Sequence, residues 1–178
     1  MTPVLIALWM VLGVALVVSV VTDVLRREIL DVVTYPLMAV GLGARFATEG
    51  VGDLEHGVLS GLVSGAGLAG LLVPAALRGR MGWGDVKLMG GVGAVLGFPA
   101  VLAAAAFISL VGALQAVVTL LWQGSVWDTL AAVVRRWAAR VHLASADARP
   151  APQRHIPYGV AIALGTFWAL WWQHGSLG

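Results

Sequence analysis

Two aspartates stand at the ends of long apolar segments, where a carboxylate is unusual. Asp23 closely follows the apolar run Val4–Val21, and Asp85 directly precedes the run Val86–Phe98. A charged side chain beside the hydrocarbon of a bilayer costs several kcal/mol unless it is paired, hydrated or functional. These two positions are therefore the first candidates for chemistry in this sequence.

Two carboxylates a few ångströms apart cannot both ionise and tend to share one proton. The ionised member can take a proton from water, while the protonated member hydrogen-bonds a scissile carbonyl and stabilises the developing oxyanion. This chemistry hydrolyses a peptide bond and needs no cofactor and no metal. Gly82 and Gly84, just before Asp85, favour a tight turn and let a substrate backbone approach the carboxylate.

The other reactive residue types are weaker candidates for a catalytic or metal-binding role. The chain has no cysteine, which excludes thiol nucleophiles, and its four histidines show no metal-ligand spacing. Asp31 is the main alternative to Asp23 for the first catalytic position, and Glu28 is a lesser one. Lys87 could hold substrate or lower the pKa of a neighbouring carboxylate, although a lysine near a helix end more often extends to the lipid headgroups.

The composition indicates an all-α, polytopic integral membrane protein. Hydrophobic residues make up 60% of the 178 residues and charged residues 11%, and the mean hydropathy is +0.91. A net charge of +2 gives no broad cationic surface for nucleic acid. The sequence predicts a single membrane-embedded domain, 1–178, with about six membrane helices at these apolar runs: Val4–Val21, Val32–Phe46, Gly57–Leu77, Val86–Phe98, Ala100–Trp122 and Tyr158–Trp172.

The basic residues predict how these helices are oriented. Ten of the eleven lie in or beside the first, third and fifth loops, namely Arg26, Arg27, Arg78, Arg80, Lys87, Arg135, Arg136, Arg140, Arg149 and Arg154. Cytoplasmic loops carry an excess of lysine and arginine, so the odd loops should be cytoplasmic and both termini outside. This topology places Asp23 and Asp85 at the same cytoplasmic boundary.

Two further segments have structural signatures. Residues Ser125–Ala146 repeat apolar side chains at helical spacing beside three arginines, which predicts an interfacial helix within a cytoplasmic loop, 125–153. A solvated helix that touches nothing is the alternative. Gly61 and Gly65 have the small-residue spacing that lets membrane helices approach closely, which predicts packing and no chemistry.

Three segments resemble one known family. The run Gly82-Trp-Gly84-Asp85-Val-Lys-Leu-Met resembles the GxGD signature of type IV prepilin peptidases. Asp23, followed by Ile29, is similar to the family's first-aspartate motif, although Leu30 and Asp31 stand where proline and asparagine are usual. Residues Ile156-Pro-Tyr-Gly159 resemble the segment that begins the family's last helix.

The resemblance implies a membrane aspartic endopeptidase with Asp23 and Asp85 as its catalytic residues. Its substrates would be prepilins or pseudopilins, whose leader peptides the family cuts at the cytoplasmic face of the inner membrane. The chain resembles the short, peptidase-only forms of tight-adherence pilus systems, without the zinc-binding segment of longer, N-methylating members. A non-catalytic pilus-assembly factor and a small proton-coupled transporter remain as alternatives.

Overall fold

The computed structural model describes residues 3–51, 57–122, 131, 134 and 158–175, and these contain helices and no strand. The helices are α1 (Pro3–Arg26), α2 (Asp31–Glu49), α3 (Val58–Leu77), α4 (Trp83–Leu96), α5 (Ala100–Trp122) and α6 (Tyr158–Gly175). The all-α prediction is confirmed. Within these described residues, three helical stretches are long and apolar enough to cross a membrane: Pro3–Arg26, Val58–Leu77 and Ala100–Thr119. The six crossings and their orientation stay predictions.

The chain divides into two compact units. The first comprises Met1–Gly112 with Pro157–Gly178, and the second comprises Ala113–Ile156. Every candidate site residue belongs to the first unit. In the second, the described part of α5 carries a hydrogen bond from the Thr119 hydroxyl to the Gln115 carbonyl oxygen, at 2.8 Å. The predicted interfacial helix at Ser125–Ala146 lies outside the described residues, apart from Ala131 and Val134.

Helix α4 forms the centre of the first unit. It packs most extensively against α3 and next against α2, and it also contacts α1 and α6. Its side chains are buried over almost its whole length, including the stretch from Leu88 to Val95. Helix α1, by contrast, exposes large apolar side chains such as Val14 and Leu25, as expected for a helix that faces lipid.

Glycines allow α3 and α4 to pack backbone against backbone. A Cβ atom at Gly65 would lie 2.7 Å from the Gly90 carbonyl oxygen, and one at Gly93 would lie 2.5 Å from the Ser64 carbonyl oxygen. A Cβ at Gly61 would lie 2.9 Å from the Ala94 carbonyl oxygen. These distances leave no room for a side chain, so the predicted packing role of Gly61 and Gly65 is confirmed.

The carboxyl end of α4 is capped by an arginine from α2. The Arg45 guanidinium donates hydrogen bonds to the carbonyl oxygens of Ala94 at 3.1 Å, Val95 at 3.0 Å and Leu96 at 2.6 Å. With 14 residues, α4 is about 21 Å long, shorter than the roughly 30 Å hydrocarbon core. Terminal carbonyls without water need another donor, and Arg45 supplies it.

Gly97 makes room for this cap. It follows α4 with φ at +64°, a left-handed conformation that favours glycine. A Cβ atom there would collide with the Arg45 guanidinium. The sequence alone does not predict this cap, since nothing in the neighbours of Arg45 indicates a partner about fifty positions away.

The glycine contacts lead to a matched prediction within α3. Gly65→Ala should destabilise the protein by about 1–3 kcal/mol, because its methyl group meets the α4 backbone. Gly67→Ala is the control, since nothing lies within 4 Å of a Cβ at that position. It should be neutral or stabilising by about 0.5–1 kcal/mol. Thermal unfolding in detergent measures both, and equal effects would contradict the packing at Gly65.

Candidate active site

Asp23 lies in the last turn of α1 and is only 4% exposed. Its Oδ2 atom accepts a hydrogen bond from the Gly159 backbone N–H at 2.8 Å. Gly159 is the second residue of α6, so the carboxylate lies at the amino end of that helix. Free backbone N–H groups and the helix dipole favour an anion at this position.

Gly159 is required by this contact. A Cβ atom there would lie 2.7 Å from Asp23 Oδ2 and 3.2 Å from Asp23 Cβ. Any side chain would push the aspartate away from the helix terminus. The Pro-Tyr-Gly segment, which the sequence offered only as a family-like motif, therefore has a physical reason for its glycine.

Asp85 is the third residue of α4 and is 7% exposed. Its carboxylate accepts a hydrogen bond from the Gly82 backbone N–H, so it reaches back over its own helix terminus as an acidic residue does in a capping box. Its Oδ1 atom is buried and has no hydrogen-bond partner among the described residues. A buried acceptor without a partner costs about 1–3 kcal/mol, which is typical of a reactive site.

The structure brings the two aspartates into one region. Helices α1 and α4 contact each other, and the Asp23 and Asp85 side chains are close enough to interact electrostatically. Tyr158, the first residue of α6, also interacts electrostatically with Asp85. The Tyr158 hydroxyl would lie 3.0 Å from a Cβ atom at Gly112 of α5. Sequence reasoning assigned no role to Tyr158, although the Pro-Tyr-Gly motif pointed to it.

The two glycines before Asp85 differ in their surroundings. A Cβ atom at Gly84 would lie 2.8 Å from Ile29 Cβ and 3.1 Å from the Ile29 carbonyl oxygen. Gly84 thus lets the first turn of α4 pack against the connection between α1 and α2. Gly82 has φ at −71°, and a Cβ there would meet Asp85 Oδ2 at an ordinary 3.5 Å. The packing therefore requires a glycine at position 84 and not at position 82.

Lys87 and Asp31, two other residues singled out in the sequence, pair with each other. Lys87 Nζ lies 2.8 Å from both carboxylate oxygens of Asp31 and 5.1 Å from the centre of the Tyr35 ring. The Asp31 side chain is 55% exposed, in contrast to the buried Asp23. Of the two alternatives for the first carboxylate, Asp23 is therefore the one that approaches Asp85 in a buried setting.

An apolar cleft begins beside Asp23. It runs between α1 and α6, and its lining contains no polar side chain: Val17, Val20, Val21, Val160, Ala163, Leu164 and Phe167. Val21 and Val160 place one end of the cleft within a turn of Asp23 and Gly159. An apolar segment lying in this cleft would pass next to the Asp23 carboxylate.

A family model for the type IV leader peptidase family matches residues 10–117. The chain belongs to this family. The matched residues include Asp23 and Asp85, and the match supports a membrane peptidase. No curated protein and no solved structure matches the chain. Tyr158 and Gly159 lie beyond the matched residues, so their approach to the two aspartates is a finding of the structure.

The contact between Gly84 and Ile29 predicts different outcomes for the two glycines of this leader peptidase family member. Gly84→Ala should destabilise the protein by about 1–3 kcal/mol, because the added methyl group meets the Ile29 backbone. Gly82→Ala should cost only a few tenths of a kcal/mol to about 1 kcal/mol, through the poorer helix cap. Thermal unfolding in detergent compares them, and a larger loss for Gly82→Ala would contradict this packing.

Proposed function

We propose that this chain is an aspartic endopeptidase that removes the leader peptide of prepilins or pilin-like precursors, with Asp23 and Asp85 as its catalytic pair. The observation that carries the proposal is the approach of two buried carboxylates from α1 and α4, within residues matched by a leader peptidase family. Each carboxylate lies at a helix end, where a backbone N–H holds it.

The geometry supports a general acid–base mechanism. One carboxylate of the pair takes a proton from the attacking water, and the other donates a hydrogen bond to the scissile carbonyl. The Oδ1 atom of Asp85 accepts no hydrogen bond from the described residues, so it is available to the water or the carbonyl. The fixed Gly159 N–H keeps Asp23 in place without a mobile side chain, which lowers the cost of assembling the transition state.

The surroundings of the pair support this substrate class. A pilin precursor presents a leader peptide at the membrane surface and an apolar helix in the bilayer, and the cleft beside Asp23 offers that helix an apolar surface. The predicted topology supports cleavage at the cytoplasmic face of the inner membrane, since both aspartates lie at the side rich in arginine. The partners are therefore the precursor and the lipid bilayer.

The catalytic pair is tested by removing each carboxylate. Asp23→Asn and Asp85→Asn should each keep the fold and lower leader cleavage by roughly 10²–10⁴-fold, because an amide cannot take a proton from water. The double variant should be no worse than either single one, since residues that act as a unit are strongly non-additive. Cleavage of a precursor by membrane fractions measures all three.

The control for this series is Glu28→Gln, which neutralises an exposed acidic side chain in the connection that follows Asp23. It should cleave the precursor at the parent rate. Cleavage by Asp85→Asn at a rate near that of the parent would rule out the aspartic mechanism.

The cleft is tested by filling it. Leu164→Trp, on the cleft wall, should raise the KM for a precursor about tenfold, the equivalent of losing the burial of one apolar side chain. Leu71→Trp places the same ring on an exposed position of α3 and should leave KM unchanged. Steady-state cleavage in proteoliposomes gives both constants, and an unchanged KM for Leu164→Trp would remove the cleft from substrate binding.

A further inference from the structure

The connection between α1 and α2 joins the segments that bear the two aspartates. Helix α1 ends at Arg26. The next residue, Arg27, has φ at +57° and donates its backbone N–H to the Asp23 carbonyl oxygen at 2.9 Å. Ile29, two residues later, packs against Gly84 at the start of α4. The Asp23 turn and the Asp85 turn are therefore in contact through a short stretch of backbone.

Lys87 adds a second link at the same place. It lies two residues after Asp85 on α4, and residues separated by two positions do not share a helix face. Its ammonium group is directed to α2, where it bonds both oxygens of Asp31 at 2.8 Å and also donates a hydrogen bond to Tyr35. Asp31 is the first residue of α2, so the pair joins the first turns of α2 and α4.

We propose that Lys87 and Asp31 form a positioning pair that fixes the first turn of α4 against the start of α2, and so holds Asp85 in register with Asp23. The inference rests on the proposed function for its catalytic consequence. Lys87 touches neither the reacting atoms nor the catalytic pair in this arrangement. Its effect passes through the orientation of the α4 turn, together with the contact of Gly84 with Ile29.

Two features distinguish a pair of this kind from two unrelated surface charges. Both oxygens of Asp31 accept hydrogen bonds from Lys87, and the Tyr35 ring lies beneath the ammonium group, so two groups on adjacent turns of α2 hold the lysine. The side chains are 30% and 55% exposed, and exposed ion pairs are weak. Breaking the pair should therefore leave the protein folded but misalign Asp85 with Asp23, which should lower kcat about tenfold.

The kinetic test uses four variants in proteoliposomes. Lys87→Met and Asp31→Asn should each lower kcat about tenfold and leave KM unchanged, and the double variant should be no slower than either single one. The exchanged variant Asp31→Lys/Lys87→Asp should regain much of the lost kcat. Glu28→Gln is the matched control, because it removes an exposed charge from the same connection without touching Lys87, and its kcat should equal that of the parent.

A distance measurement tests the same inference without substrate. Because the chain contains no cysteine, spin labels can be attached at Val32→Cys and Trp83→Cys, exposed positions on the first turns of α2 and α4. Pulsed electron spin resonance should give one narrow distance distribution in this labelled parent. The distribution should broaden with Lys87→Met or Asp31→Asn and narrow again in the exchanged variant. Glu28→Gln should leave it narrow.

The outcomes separate this inference from the proposed function. A parent that fails to cleave any precursor would count against the function, while the distance distributions would still report on the pair. A raised KM with unchanged kcat and a narrow distribution would make Lys87 a substrate-binding residue and overturn the inference. The inference would also be overturned if the two single variants lost unequal fractions of kcat, if their losses added in the double variant, or if kcat did not fall. A fall in kcat explained by a lower content of folded protein would overturn it as well.

Discussion

The close approach of α3 and α4 determines where the rest of the site can lie. A Cβ atom added at Gly93 or at Gly65 would lie within 2.7 Å of a backbone atom of the other helix. Inside a bilayer no hydrophobic force draws helices together, because lipid is as apolar as leucine, and close van der Waals packing has to take its place. The glycines supply that packing, and they fix α4 in the middle of the unit with Asp85 at one end and the Arg45 cap at the other.

Both ends of α4 are polar and enclosed. At the amino end, the Asp85 carboxylate accepts a hydrogen bond from the Gly82 backbone N–H. At the carboxyl end, the terminal carbonyl oxygens accept hydrogen bonds from the Arg45 guanidinium. A helix too short to reach both surfaces of a bilayer leaves terminal groups where water is scarce. Arg45 of α2 supplies donors to the carbonyl groups at the carboxyl end of α4. The amino end carries the Asp85 carboxylate, which is a candidate for catalysis.

The candidate site combines residues from the first and the last described helices, α1 and α6. Asp23 and Gly159 are 136 positions apart, and their hydrogen bond closes α6 against α1 beside the α4 turn. Gly159 has no side chain because Asp23 occupies that space, and Gly84 has none because Ile29 does. Glycine thus has one role in the helix packing and another at the site, where it admits a neighbouring residue to the helix terminus.

The sequence by itself determined the helical class and the approximate helix positions, and it singled out Asp23 and Asp85 as candidate catalytic residues. Apolar runs of this length must form helices in a bilayer, since backbone groups have no other partners there, and a carboxylate at the end of such a run stands out against its surroundings. The glycine spacing of α3 also predicted close packing against another helix, because backbone contact requires small residues at fixed intervals.

Only the tertiary structure decided which polar groups meet. The Gly159 bond to Asp23, the Arg45 cap and the pairing of Lys87 with Asp31 join residues between about fifty and more than a hundred positions apart. Their formation depends on how each helix is rotated about its axis and how far it is shifted along its neighbours. Hydropathy does not encode those two quantities, because they are set by the packing of side chains on several helices at once.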